Sequence, residues 1–192
     1  WDNGGLLVGA EDWEVSRILV GLDMDEALFT RAREAGAQLI VTHHPLIFSP
    51  ISRITNGTPT GRLIIKLIRN QTALYALHTA FDRAVGGTDD ILAQVLGLRE
   101  AAELTEGARV LRGFGRIGLS HAALSAREYI KFAAERVGSA AVRVYGASEQ
   151  TVRRVACCAG AGGEFWREAC SRGADVFVPG EIKYHEAIEA AA

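Results

Sequence analysis

No stretch of this 192-residue chain approaches the roughly 20 consecutive apolar residues that a membrane-crossing helix needs. No charged-then-apolar leader with a cleavage site stands at the start of the sequence as given. A basic excess is missing too: 21 Lys and Arg face 23 Asp and Glu, a net charge of −2. No overall field gathers nucleic acid and no polybasic segment holds a membrane, so neither is expected as a partner. Cysteine is scarce. Cys157, Cys158 and Cys170 are an odd set without disulfide-framework or zinc-finger spacing, and they read as reduced core thiols of a cytoplasmic protein. There is no long linker, low-complexity tract or short repeat. The turn Gly160-Ala161-Gly162-Gly163 lacks the spacing of a dinucleotide fingerprint and the Gly-Lys-Ser/Thr of a P-loop. Amides ahead of a helix can hold an anion, but a tight turn without a ligand is the favoured use.

What is present is an ordinary globular composition, 48% hydrophobic and 23% charged, at a length that suits one large or two small domains. Residues 17–22 read as a strand. Asp23, with Glu26 three positions on, signals a helix start of capping-box type, and the helix runs to Ala35 and is closed by Gly36. Residues 38–41 form the next strand and complete a βαβ unit. Residues 46–58 are loop-like, with Pro50, Asn56-Gly57 and Pro59 as breakers. Thr60 starts a helix whose Leu63, Ile64, Leu67 and Ile68 fall at helical spacing.

Residues 73–77 make a third strand, and Gly86-Gly87 opens a helix over 88–96 that Gly97 closes. Further on, 113–119 reads as a strand, Ser125 caps a helix to about Val137, and 142–145 and 152–158 are strands. The glycine turn then leads into a helix to Arg172, 175–178 is a strand, and Glu181 starts the last helix. The order predicts an α/β protein made of two α/β domains related in architecture, 1–105 and 106–192.

Three groups of residues carry candidate chemistry. His43 and His44 close the run Gln38-Leu39-Ile40-Val41-Thr42 and precede Pro45. On an extended backbone successive side chains point to opposite faces, so the two imidazoles are expected to aim in roughly opposing directions. Two ions, or one metal and one substrate group, can each take one; the alternative is a polar surface loop. Imidazole is the commonest metal ligand and α/β folds hold sites at strand ends, which favours the metal.

His78 and Asp82 follow the third strand and converge on the same crevice, where histidine and carboxylate together suit zinc, manganese or iron. His78 alone reads as a hydrogen-bonded structural histidine; beside a metal it would hold Asp82 or a ligand water in place. Glu181 and His185, four apart, share a face if both lie on the last helix. Glu181 and Lys183 read as an exposed first turn, while His185 stands open between that and a site role. His121 is read as structural, and Cys157 and Cys158 have no neighbouring base to activate them.

Four blocks together resemble one family. They are Trp1-Asp2-Asn3-Gly4-Gly5-Leu6 with Val8-Gly9; 37–48, containing Thr42-His43-His44-Pro45-Leu46-Ile47-Phe48; His78-Thr79-Ala80-Phe81-Asp82 with Gly86-Gly87 and Asp90; and Gly180-Glu181-Ile182-Lys183-Tyr184-His185. In that order they resemble the GTP cyclohydrolase 1 type 2 homolog proteins, also called the Nif-three-like family, over nearly the whole chain. The resemblance implies a two-domain α/β fold, a dinuclear metal centre in the cleft between the domains, and assembly into a hexameric ring. It assigns His43, His44 and Asp82 as metal ligands. The family completes its centre with a later histidine and a glutamate four residues beyond, so residues are expected to follow Ala192, as others are expected to precede Trp1. Nothing between 107 and 146 is long enough for the inserted regulatory-like domain of longer relatives, which makes this the short form.

The function expected from these residues is a metal-dependent hydrolase. Two divalent ions, zinc, manganese, iron or similar, would be held by His43, His44 and Asp82, with His78 and His185 as the catalytic groups that orient ligands or move protons. The substrate would be a nucleotide or another small phosphoester, and hydrolytic ring opening of the cyclohydrolase kind is one chemistry of that class. The rival is a metal-binding scaffold or regulatory interaction protein without turnover. A reduced-thiol redox protein using Cys157 and Cys158 is a third possibility.

Overall fold

The computed structural model describes residues 2–107, 112–139, 141–146 and 149–192; Trp1 of the first sequence block lies outside them. The chain divides into two compact units, 1–81 and 82–192. No helix among the described residues is long and apolar enough to cross a membrane.

In the first unit β2 (Ile18–Gly21), β3 (Leu39–Thr42) and β4 (Ala73–Ala76) run parallel, and β1 (Gly5–Val8) pairs antiparallel with β4, giving the order β1-β4-β3-β2. Helix α1 (Glu26–Ala35) links β2 to β3, and α2 (Pro59–Arg69) links β3 to β4. The N-cap of α1 is Asp25, whose carboxylate accepts from the Leu28 amide at 2.7 Å. Asp23, the expected start signal, is therefore not the cap; its carboxylate turns to His44 instead. Gly36 closes α1 with φ 65°, a left-handed conformation that glycine adopts without a Cβ penalty. Ile40, Leu67 and Leu74 are fully buried between sheet and helices, and α2 adds Leu63 and Ile64 to the same core. Burying each such side chain contributes roughly 1.5–3 kcal/mol relative to leaving it in water.

The second unit holds a sheet of order β5-β6-β7-β8: β5 (Arg99–Glu103), β6 (Arg116–Ser125), β7 (Thr151–Cys158) and β8 (Val176–Pro179). Only β7 and β8 pair in parallel; the other two pairings are antiparallel. Both units are thus mixed four-stranded sheets with helices. Helices α4 (Thr88–Val95), α5 (Ala126–Val137), α6 (Trp166–Ser171) and α7 (Tyr184–Ala191) belong here, and α3 (His78–Asp82) is the single turn that spans the division. α5 opens on Ser125, the expected cap, and Glu128 completes a capping box in which the two residues bond each other's backbone. Tyr129 on α5 is fully buried and donates to the Leu96 carbonyl at 2.9 Å.

The division between units falls earlier than the expected 105/106. α4 packs on β6 and β7, so segment 82–105 goes with the second sheet. Residues 142–145, expected as a strand, are irregular, with Val142 and Val144 about half exposed. The last helix begins at Tyr184 rather than Glu181.

Candidate metal centre

The ladder between β2, β3 and β4 continues past their formal ends. The His43 and His44 amides donate to the Gly21 and Leu22 carbonyls, and the Leu77 and His78 amides donate to the Thr42 and His43 carbonyls at 2.9 Å. This carries three histidines to the carboxyl end of the parallel strands, where α/β sheets hold ligands. The ring centroids of His43 and His44 lie 4.8 Å apart, those of His43 and His78 5.8 Å, and those of His44 and His78 6.1 Å. The His43 and His44 rings do not aim in opposing directions as an extended backbone would require. The strand ends at Thr42, whose hydroxyl donates to the His44 carbonyl at 2.8 Å, and the bend draws the two rings together. Phe48 and Phe81 pack edge-on against His78 and His43, at 6.1 and 6.4 Å.

Two of the imidazoles are held from behind by carboxylates that the sequence reading did not single out for this role. His44 Nδ1 lies 2.8 Å from Asp23 Oδ1, and His78 Nδ1 lies 2.5 Å from Asp2 Oδ1. Thr79 donates its hydroxyl to the other oxygen of Asp2. Burial by itself would raise the Asp2 carboxyl, but the hydrogen bonds from His78 and Thr79 outweigh it and hold the group below the usual carboxylate range. Asn3 adds a bond from its side-chain amide to the Ile47 carbonyl at 2.5 Å, which ties the first sequence block to the His-His-Pro block. His78 itself has φ 37°, a sparsely populated conformation for a side chain of its size.

A carboxylate on Nδ1 fixes the neutral ring with its proton there and leaves the Nε2 lone pair for a metal, the arrangement common behind metal-bound histidines. The donor types therefore fit zinc, manganese or iron. Among the described residues, no group of three or more His, Cys, Asp or Glu is gathered tightly enough to close around one ion.

Asp82 is the last residue of α3, one turn beyond His78 and partly buried. In the second unit, its negative charge reaches Asp89 and Cys158. His185 is the second residue of α7 and exposed, and Glu181 precedes that helix, so the two do not share a helical face. His121 lies within β6 with its ring 4.3 Å from that of Phe132. Cys157 and Cys158 are buried; burial, then the charge of Asp89, pushes the Cys157 thiol up to about 12 and raises Cys158 as well. A thiol so held is a poor nucleophile at neutral pH.

The signal for Asp2 was in the sequence, inside the block Trp1-Asp2-Asn3-Gly4-Gly5-Leu6, but nothing local said which ring it would reach. A family model described as Duf34/NIF3 (NGG1p interacting factor 3) matches residues 1–192. The chain belongs to that family. A GTP cyclohydrolase 1 type 2 homolog of Clostridium perfringens is 34% identical over 186 residues, covering 96% of this chain and 71% of the relative. The Streptomyces coelicolor protein of the same name is 37% identical over 201 residues, covering all of this chain and 69% of the relative. The crystal structure of Staphylococcus aureus protein SA1388 superposes with a TM-score of 0.85 at 27% identity, covering 100% of this chain and 76% of that one. As a Duf34/NIF3 member the chain shares its two-sheet α/β architecture with solved relatives.

Proposed function

We propose that this Duf34/NIF3 protein is a metal-dependent hydrolase of a nucleotide or small phosphoester, with His43, His44 and Asp82 as ligands. The observation that carries the reading is the imidazole face at the ends of β3 and β4, three rings within 4.8–6.1 Å of one another, two of them with Nδ1 on a carboxylate. Divalent ions held there would supply Lewis acidity and a water that is nucleophilic at neutral pH. His78 moves a proton at Nε2 beside this face, its ring orientation fixed by Asp2. His185 is retained as a second proton-moving group, since it is exposed and unencumbered by a helical partner at Glu181. The use of two ions, a hexameric ring and a cytoplasmic setting are parts of the same proposal.

Elemental analysis of the full-length protein, with a panel of nucleotides and phosphomonoesters after loading with zinc, manganese or iron, tests the reading. Bound metal and metal-dependent hydrolysis, both abolished in Asp82→Ala, are expected. A protein that binds no ion overturns the proposal. Bound ions without turnover of any substrate would turn it toward the scaffold reading.

A further inference from the structure

We propose that Asp2 is a positioning residue: it holds His78 as the Nδ1-protonated tautomer and so makes Nε2 the basic nitrogen of that ring. The inference deepens the metal-face reading and rests on it for its functional meaning, while its structural content stands by itself. Sheet topology brings the pair together. β1 runs antiparallel to β4 with Gly5 opposite Ala76, so the chain ahead of β1 continues past the end of β4, and Asp2 arrives beside His78 and Thr79.

Three features distinguish this contact from a casual surface pair. The Asp2 and His78 side chains are only 19% and 18% exposed, whereas the otherwise similar Asp23–His44 pair is 62% and 48% exposed. Water competes with the second pair and scarcely with the first, so the Asp2 bond discriminates between tautomers more strongly. Asp2 also uses both oxygens, one for His78 and one for the Thr79 hydroxyl, which stops the carboxylate from swinging away. Finally, His78 has a backbone φ of 37°, a conformation that persists only where its surroundings over-determine it. The bond to Asp2 and the amide bond from His78 to the His43 carbonyl are two such restraints.

A neutral imidazole can carry its proton on either nitrogen, and a half-turn of the ring exchanges their places. A ring free to do both would offer its lone pair to the histidine face only part of the time. Asp2 removes both freedoms. The carboxylate also strengthens Nε2 as a base by polarising the N–H on the opposite nitrogen, as outer carboxylates do for metal-bound and catalytic histidines.

The test uses the full-length, metal-free protein labelled with ¹⁵N at histidine, and reads the tautomer of His78 from long-range ¹H–¹⁵N correlations. In wild type the proton is expected on Nδ1. In Asp2→Ala the ring is expected to average between tautomers or carry the proton on Nε2. Asp2→Asn, whose single oxygen is taken by the Thr79 hydroxyl and whose amide then presents an N–H to Nδ1, is expected to place the His78 proton on Nε2; it is also the fallback should the alanine variant fail to fold, alongside Thr79→Val, which frees the carboxylate and is expected to give a mixed tautomer. Zinc competition against a chelator supplies the second readout: about tenfold weaker binding in Asp2→Ala, because a His78 ring free to turn no longer holds a ligand water with Nε2, and a loss at least as large in Asp23→Ala, whose carboxylate backs the ligand His44. An unchanged His78 tautomer in Asp2→Ala, or in Thr79→Val if the former does not fold, overturns the proposal. Zinc binding equal to wild type in Asp2→Ala overturns its part in the metal face. A wild-type protein without zinc affinity would sink the metal reading, and the tautomer measurement would still decide the role of Asp2.

Discussion

The Nδ1 atom of His78 lies 2.5 Å from Oδ1 of Asp2, 76 residues earlier in the chain, and the backbone of His78 is left-handed at φ 37°. The two facts separate the cost of the residue from its contact. For an L-residue the left-handed conformation costs roughly 1–2 kcal/mol that glycine does not incur. His78→Gly and His78→Ala both lose the Asp2 bond, but only alanine keeps the strain. Urea denaturation should find His78→Ala less stable than His78→Gly by about 1 kcal/mol, the reverse of the usual order of these two residues in regular structure.

Asp89 is fully buried and bridges the start of β6 to the end of β7, accepting the Gly115 amide at 2.8 Å and the Ala159 amide at 2.9 Å, with Arg116 Nη1 at 3.9 Å. Removing it orphans two amides and takes one negative partner from a buried guanidinium. Asp89→Ala should destabilise the protein by about 3–5 kcal/mol. Asparagine restores one of the two acceptors, so Asp89→Asn should recover about half of that loss. Chemical denaturation of both variants checks the ranking; equal stability of wild type and Asp89→Ala would contradict the bridging role.

The strong periodic elements were legible in the sequence, and those that depend on partners were not. β3, β4, α1, α2, α5 and β7 follow from apolar spacing and caps such as Ser125 and Gly36, which are local chemistry. β5 escaped because Arg99–Glu103 has no apolar alternation; it is a largely exposed edge strand held by pairing with β6. Residues 142–145 misled in the opposite sense, since their alternating valines imitate a strand that has no partner among the described residues. At the site, His43, His44 and His78 stood out because strand ends and imidazoles are readable one residue at a time. Asp2 and Asp23 did not, because each acts across the sheet. Asp23 even carried a competing local reading as a helix cap, a role that Asp25 takes.

Of the three cysteines, Cys157 and Cys158 are buried in β7 while Cys170 is exposed on α6. Burial, then the nearby charge of Asp89, pushes the Cys157 thiol up to about 12 and raises Cys158 too, so neither offers thiolate at neutral pH. A disulfide-exchange reagent at pH 8 should therefore titrate Cys170 rapidly in the native protein and all three thiols only after unfolding. Cys170→Ser should abolish the rapid phase. Rapid labelling of Cys157 or Cys158 in folded protein would revive a redox role for the pair.

Arg112 joins two carboxylates of the second unit, with Nη1 2.7 Å from Asp90 and Nε 3.0 Å from Glu103. Burial would raise the Asp90 carboxyl, but bonds from Arg116, the Gly86 amide and Arg112 outweigh it and hold it low. Glu103 is held low by the Gly113 amide and then by Arg112. A carboxylate whose folded pKa lies below its unfolded value binds fewer protons in the native state, so its contribution is complete above the unfolded value and is lost as pH falls through the folded one. The ordinary values are 3.8 for Asp90 and 4.5 for Glu103, which puts the onset of the loss just below pH 5. Asp89 works with the opposite sign: its carboxyl is raised by burial, against two amides and Arg116, so protonation on acidification is easier in the folded protein. The two effects separate in Arg112→Leu, which removes the shared partner of Asp90 and Glu103 and does not touch the amides that bind Asp89. Its stability deficit should be about 1–2 kcal/mol at pH 7, modest because all three groups keep some exposure. The deficit should shrink steadily between pH 5 and pH 3, measured by urea denaturation across that range. A deficit that is constant with pH would mean that Arg112 acts by packing its side chain rather than through the two carboxylates.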